Sequence, residues 1–289
     1  MAMMQAVRNG LRVVREPSEL QTTVAGWHKG GHSVGFVPTM GAFHLGHLSL
    51  MRQAKKATDV VIVSIFVNPL QFAAGEDYDR YPRQMTKDLR MAESEKVDAL
   101  FAPSVAEMYP KGFATYVDQN DLPAKMCGAF RPDHFRGVMS VVSKLFSIVK
   151  PDAAFFGQKD FQQYLIVRRM ATDLNLDVDV RVLPTVREED GLAMSSRNVY
   201  LGPKQRKDAV CLHRALQRAE EMVGAGESSA VKVAAEMKRV IHRVKGARVD
   251  YIAIVNSDTL EPVKEIKGKS LIAAAVRIGK ARLIDNILV

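Results

Sequence analysis

The chain has 289 residues, 47% hydrophobic and 25% charged, an ordinary globular composition long enough for about two domains. No apolar run approaches the ~20 residues of a membrane span, and the N-terminus mixes both charge signs without a secretory apolar core, so a cytoplasmic protein with no membrane partner is expected. The net charge of +9 favours anionic partners. With no basic tail, zinc-finger spacing or aromatic RNA-binding signature, nucleic acid is not expected to be one of them.

From Val34 onward, apolar runs alternate with helical patterns. "VGFVP" (34–38) reads as a strand, and a helix follows through "HLSLMRQAKKA" (47–57). "VVIVSIFV" (60–67) is a second strand, apolar almost throughout, as expected when both sheet faces are covered. A helix through 83–96, a short run at 98–103 and a helix over 135–150 follow; the last has apolar residues at i, i+3, i+4 spacing. "AAFF" (153–156), a helix over 161–174 and the strand "VDVRVLP" (178–184) complete a doubly wound parallel α/β domain, Rossmann-like, over 1–185. A smaller α+β domain is expected over 186–289: an irregular polar stretch, helices at 203–223 and 228–244, then strands at 249–255, 270–278 and 281–289.

Two decoys fall away. "GKS" at 268–270 lacks the upstream glycine of a phosphate-binding P-loop, because position 263 is Val. His44 and His47 form an HxxH pair with no HExxH and no third ligand at useful spacing, and Cys127 and Cys211 form no CxxC, so neither a zinc site nor a disulfide framework is readable.

The chemistry concentrates in four loops that follow strands. "PTMGAFHLGH" (38–47) joins a strand end to a helix start, where unpaired N–H groups and the helix dipole attract phosphate. Gly41 and Gly46 allow close backbone approach, and His44 and His47 at i, i+3 can both donate to an anion; one capping the turn and the other at the surface also fits. "GLAMSSRN" (191–198) reads as a flexible loop whose Ser195, Ser196 and Arg197 suit a clamp on a triphosphate, although alone it also fits a helix-capping loop. "FFGQKDFQQ" (155–163) offers Lys159 to phosphate, Asp160 to a ribose hydroxyl or as a helix cap, and Gln162 or Gln163 to a cleft. "FVNPLQF" (66–72) sets Asn68 and Gln71 among apolar neighbours, which suits a small hydroxy acid carrying methyl groups; an ordinary strand exit also fits.

Taken in order, "PTMGAFHLGH", "SIFVNPLQF", "YPRQ", "RPDHFRGV", "FFGQKDFQQ" and "PTVREEDGLAMSSRN", with a weaker match in "ARLIDNI", resemble the pantothenate synthetases. These are pantoate–β-alanine ligases of the HIGH-motif nucleotidyltransferase-like superfamily. The resemblance implies ATP-dependent condensation of pantoate with β-alanine through a pantoyl-adenylate. It also implies Mg²⁺, a homodimer, and two domains with ATP between them. On it, His47, His44, Lys159, Ser195, Ser196 and Arg197 are the expected catalytic set, with His47 the better proton donor. ATP is expected at Pro38, Thr39, Met40, Gly41, Ala42, Phe43, His44, Leu45, Gly46 and His47, at Gly157, Gln158, Lys159 and Asp160, and at Val186, Met194, Ser195, Ser196 and Arg197. Pantoate and β-alanine are expected at Gln71, Gln163, Asn68 and Met40, and a metal at Asp88. Two positions depart from the family's usual pattern: Gln158 replaces a Glu and removes a charge beside Lys159, and Lys87 replaces an acidic residue next to Asp88. "AAGEDYDRYP" (73–82) is a candidate flap over the reactive anhydride.

Overall fold

The computed structural model describes Val7–Arg8 and residues 10–289. In chain order the elements are β1 (Val7–Arg8), β2 (Leu11–Val14), α1 (Pro17–Lys29), β3 (Val34–Thr39), α2 (Leu45–Ala57), β4 (Val60–Ile65), α3 (Met85–Ser94), β5 (Ala99–Phe101) and α4 (Val105–Met108). They continue with α5 (Cys127–Phe130), α6 (His134–Val149), β6 (Ala153–Gly157), α7 (Phe161–Asp173), β7 (Asp179–Leu183), α8 (Pro203–Ala209), α9 (Cys211–Gly224), α10 (Ala230–His242), β8 (Arg248–Asn256), β9 (Ser270–Ile278) and β10 (Ala281–Leu288). The chain divides into two compact units. One holds the described residues up to Gln119 with Arg131–Gly157 and Gln163–Leu183; the other holds Asn120–Phe130, Gln158–Gln162 and Pro184–Val289.

The first unit is built on one sheet of order β1-β2-β5-β4-β3-β6-β7 among the described residues. All neighbours run parallel except the edge pair β1–β2. The doubly wound α/β fold read from the sequence is therefore present. Its cause is visible in β3 and β4, whose buried residues serve both faces. On one face Val37, Val61 and Val63 pack with Leu48, Met51 and Ala54 of α2 and Ala92 of α3. On the other, Phe36 meets Phe146 of α6 edge to face with ring centres 6.4 Å apart. Each of the Val, Leu, Met and Phe side chains removed from water contributes roughly 1.5–3 kcal/mol.

The strand order also fixes where a ligand can bind. β4 lies on one side of β3, whereas β6, which comes later in the chain, lies on the other. The carboxyl ends of β3 and β6 therefore flank the point where the winding reverses, and crevices at such points hold ligands in open α/β sheets.

The second unit has an antiparallel sheet of order β10-β9-β8. Helices α9 and α10 cover it through Leu212, Leu216, Val233, Met237 and Ile241. The helix read over 203–223 is broken at Val210 into α8 and α9. Its periodicity runs on because Ala209, Cys211 and Leu212, on both sides of the break, enter the same core. β2 and α1, unread in the sequence, complete the first unit.

Candidate active site

In the first unit, the loop after β3 is shaped by its own polar groups. Thr39 Oγ1 donates to the Ser64 carbonyl at 2.6 Å and accepts from Gly41 N–H at 3.0 Å, which tightens the turn out of the strand. Gly41 has φ +81°, and a Cβ there would lie 2.9 Å from the Ile65 side chain and 3.1 Å from Asp88. Glycine is therefore required for both the conformation and the space.

His44 is the N-cap of α2. Its Nδ1 accepts from Gly46 N–H at 3.2 Å, and His47 Nδ1 accepts from His44 N–H at 3.3 Å. A neutral imidazole that accepts at one nitrogen carries its proton on the other. Both rings, with centres 4.0 Å apart, therefore hold Nε2–H donors at the start of a helix. Accepting through Nδ1 fixes the tautomer that leaves Nε2–H as the donor on each ring.

Asp88, the residue expected at a metal, is tied to the histidine loop. It is only 1% exposed, and its two oxygens accept from Ala42 N–H and Phe43 N–H at 2.8 Å each. Burial pushes its carboxyl above the usual carboxylate range, against the pull of those two N–H groups. Its geometry is that of an anchor for the histidine loop. Among the described residues no group of three His, Cys, Asp or Glu side chains could hold a metal ion; a magnesium ion carried on phosphates needs only one or two carboxylates.

The exit from β4 makes a single 3-10 turn, Pro69–Gln71. Asn68 lies beneath it, 1% exposed. Its Oδ1 accepts from Leu70 N–H and from Tyr109 Oη, and its Nδ2 donates to the Gly137 carbonyl at 3.0 Å and to Gln71 Oε1 at 3.2 Å. Burial raises the Tyr109 phenol pKa, which keeps that donor protonated. Gln71 Nε2 in turn donates to Met40 Sδ at 3.0 Å. Asn68, Gln71 and Met40 are thus brought together, with Asn68 aiming the Gln71 amide from below.

α6 reaches this turn at Gly137, where an added Cβ would overlap the Leu70 carbonyl and lie 2.7 Å from Gln71 N. Backbone on one side and a helix on the other cannot yield cheaply. Gly137→Ala is therefore expected to cost ~1–3 kcal/mol or more and to shift the binding of any substrate that reaches the Gln71 amide. Thermal melting together with substrate titration checks both effects, and a variant unchanged in either would show that the turn tolerates displacement.

In the second unit, Gln158–Asp160 form a 3-10 turn directly after β6, and Lys159 Nζ pairs with Asp160 at 2.9 Å. The pair that organises this unit escaped the sequence reading. Asn286, buried on β10, donates from Nδ2 to the carbonyls of Gln158 and Lys159 at 2.9 and 3.0 Å. Its neighbour Asp285, 2% exposed, grips Arg187 at 2.5 and 3.1 Å. The available signal was a polar Asp–Asn pair inside the otherwise apolar strand "ARLIDNILV". Asn286→Asp would turn two donated bonds into two repulsions. At about 1 kcal/mol per bond, it should cost roughly tenfold or more in any activity that the Gln158–Asp160 turn serves. A fully active Asn286→Asp variant would remove this role.

The stretch read as a flexible clamp begins in a hydrogen-bonded hairpin. Met194 N–H donates to the Val186 carbonyl at 3.0 Å, Glu188 N–H to Leu192 O at 2.8 Å, and Gly191 N–H to Glu188 O at 2.8 Å. Arg206 closes it from α8 through Glu188 and Asp190, and Asn198 donates to Glu188 at 2.8 Å. Ser195 Oγ then accepts from Arg197 N–H at 3.3 Å and caps the 3-10 turn Ser196–Tyr200. Of the two glutamines opening α7, buried Gln162 spends its amide on the carbonyls of Leu122 and Lys125 and on Cys127 N–H. Gln163 is half-buried.

The family model described as pantoate-beta-alanine ligase matches residues 12–288. Pantothenate synthetase from Pelotomaculum thermopropionicum is 55% identical over 269 residues, 93% of this chain and 95% of that protein. Among solved structures, pantothenate synthetase from Thermus thermophilus superposes with a TM-score of 0.91 at 47% identity, covering 95% of this chain and 98% of that one. Pantoate-beta-alanine ligase from Francisella tularensis, solved with a β,γ-ATP compound and β-alanine, gives a TM-score of 0.79 at 33% identity, covering 96% and 97%.

Proposed function

The chain belongs to the pantoate-β-alanine ligase family, and from that premise we propose how its residues join pantoate to β-alanine at the expense of ATP. The pantoate carboxylate attacks the α-phosphorus, pyrophosphate leaves, and β-alanine then displaces AMP from the pantoyl-adenylate. The observation that carries this reading is the pair of Nε2–H imidazoles at the helix start beside the winding reversal.

The carboxylate is already ionised near neutral pH, with an ordinary pKa of about 4, so no activated nucleophile is needed. The barrier is electrostatic: an anion meets a polyanion while charge grows on the leaving group. Donors aimed at that charge supply the catalysis. His44 and His47 donate to the phosphates, with His47 in the first turn of α2 as the proton donor to developing charge. Lys159, Ser195, Ser196 and Arg197 hold the β- and γ-phosphates. Pro38–Phe43, Leu45, Gly46, Gly157, Gln158, Asp160, Val186 and Met194 line the nucleotide. Gln71, Met40 and Gln163 hold pantoate, and Asn68 acts on it through Gln71. Mg²⁺ arrives on the phosphates of ATP, as part of the substrate. In the second step the β-alanine ammonium loses its proton to water or to the departing phosphate, since the motifs carry no strong base. Residues 1–185 make up the nucleotide- and pantoate-binding domain and 186–289 the lid domain of a cytoplasmic homodimer.

The test is to supply ATP and Mg²⁺ with pantoate, with and without β-alanine, and to assay nucleotide products. AMP and pyrophosphate are expected in step with pantothenate. Stoichiometric ADP would rule the reading out.

A further inference from the structure

Arg131 and His134 stand out in the first unit because both converge on one backbone carbonyl while Arg131 also holds the loop Ala73–Pro82. Arg131 Nε donates to Glu76 Oε1 at 2.8 Å and Nη2 to Glu76 Oε2 at 2.6 Å, a two-pronged pair. The same Nη2 donates to the Gln71 carbonyl at 3.2 Å. Arg131 Nη1 lies 3.0 Å from His134 Nε2, and His134 Nδ1 lies 2.8 Å from the Gln71 carbonyl. A guanidinium has only donors, so Nε2 must accept, Nδ1 carries the proton, and two N–H groups meet on Gln71 O. Arg131 and Glu76 are 12% and 26% exposed, which shields the pair from the screening that weakens surface ion pairs.

The rest of the loop is tied independently of this pair. Phe72 packs edge-on against Tyr78 and Tyr81 at 5.4 and 6.0 Å, and Arg83 donates to the carbonyls of Tyr78, Asp79 and Tyr81. Glu76 Oε2 additionally accepts from Ala73 N–H at 3.2 Å. The Glu76–Arg131 pair therefore joins the first half of the loop to the Gln71 turn, and the second half is held by other groups.

We propose that Arg131 and Glu76 are positioning residues that latch the Ala73–Pro82 loop to the Gln71 turn and keep water from the pantoyl-adenylate held there. The proposal rests on the adenylation reading above. With the latch open, water adds to the acyl carbon in place of the amine. The bond from that carbon to the phosphate oxygen breaks, AMP leaves with the electron pair, and pantoate is regenerated. ATP is then consumed without amide formation.

Glu76→Gln keeps the shape and removes the charge; Arg131→Lys keeps the charge and removes the fork. Both are to be assayed for AMP released from ATP and pantoate without β-alanine, and for the ratio of AMP to pantothenate at low β-alanine. Thermal melting confirms that each variant is folded. Loss of a charge-assisted pair should raise β-alanine-independent AMP release by about tenfold or more, lift the AMP-to-pantothenate ratio above that of the parent enzyme, and raise KM for pantoate more than it lowers kcat. A parental ratio in both folded single variants would overturn the latch. Failure of the adenylation reading would show separately, as ADP from the parent enzyme.

Discussion

His47→Ala should lower kcat by about a hundredfold to a thousandfold, the loss seen when one preorganised donor to developing charge is removed. KM for ATP should change much less, because the helix start and its N–H groups remain. Some of the damage will be structural, since His47 Nδ1 accepts from His44 N–H and helps set the turn. A lost cap costs ~1 kcal/mol, enough to lower the melting temperature by a few degrees but not to unfold the enzyme. The two contributions separate in measurement: melting reports the cap and kcat the donor. His47→Asn, which can still accept from the turn, should recover more of the melting temperature than of kcat. If His47→Ala kept kcat within a few-fold of the parent while melting lower, the imidazole would be a cap alone and the donor role would be wrong.

Lys159→Ala and Arg197→Ala should each slow adenylation by about tenfold to a hundredfold, from charge-assisted contacts worth roughly 1.5–3 kcal/mol, and by more in a closed site. The two half-reactions should respond differently. Adenylation suffers directly, because pyrophosphate must leave there. Attack of β-alanine on supplied pantoyl-adenylate no longer involves the β- and γ-phosphates, and should be impaired less. Single-turnover assays started from ATP plus pantoate, and separately from pantoyl-adenylate, decide the matter. Equal impairment of both halves would mean that these residues serve the fold or the AMP portion. Lys159 adds one complication: it is paired with Asp160 at 2.9 Å, so its removal also leaves a carboxylate without that partner. Asp160→Asn in the Lys159→Ala background should therefore restore part of the loss.

The parts of the fold that were legible are those whose pattern is local. The run at 60–67 reads as a covered strand because nearly every residue is apolar, and the structure gives β4 there, ending at Ile65 where the chain turns into the Asn68 exit. β2 and α1 were not legible: β2 is four residues long, and α1 buries only Leu20 and Val24. The order of strands is a long-range fact that no local period encodes. The same division holds at the candidate site. His44, His47, Lys159, Ser195 and Arg197 stand out because each lies in a loop of unusual composition. Their supports come from far along the chain. Asp88 reaches back to Ala42 and Phe43, and Asn286 to Gln158 and Lys159. Read alone, Asp88 is an acidic residue near a phosphate loop and invites a metal role. Only its two N–H partners show that it also anchors the histidine loop.

The central claim is that the pantoate carboxylate itself attacks the α-phosphorus of ATP, and the path of one oxygen atom tests it most directly. Pantoate carrying heavy oxygen in its carboxylate is to be turned over with ATP and β-alanine, and the nucleotide and phosphate products examined by mass spectrometry. One labelled carboxylate oxygen should appear in the phosphate of AMP for each pantothenate formed, with none in pyrophosphate. Label in inorganic phosphate together with ADP, or no label in any phosphate, would contradict it.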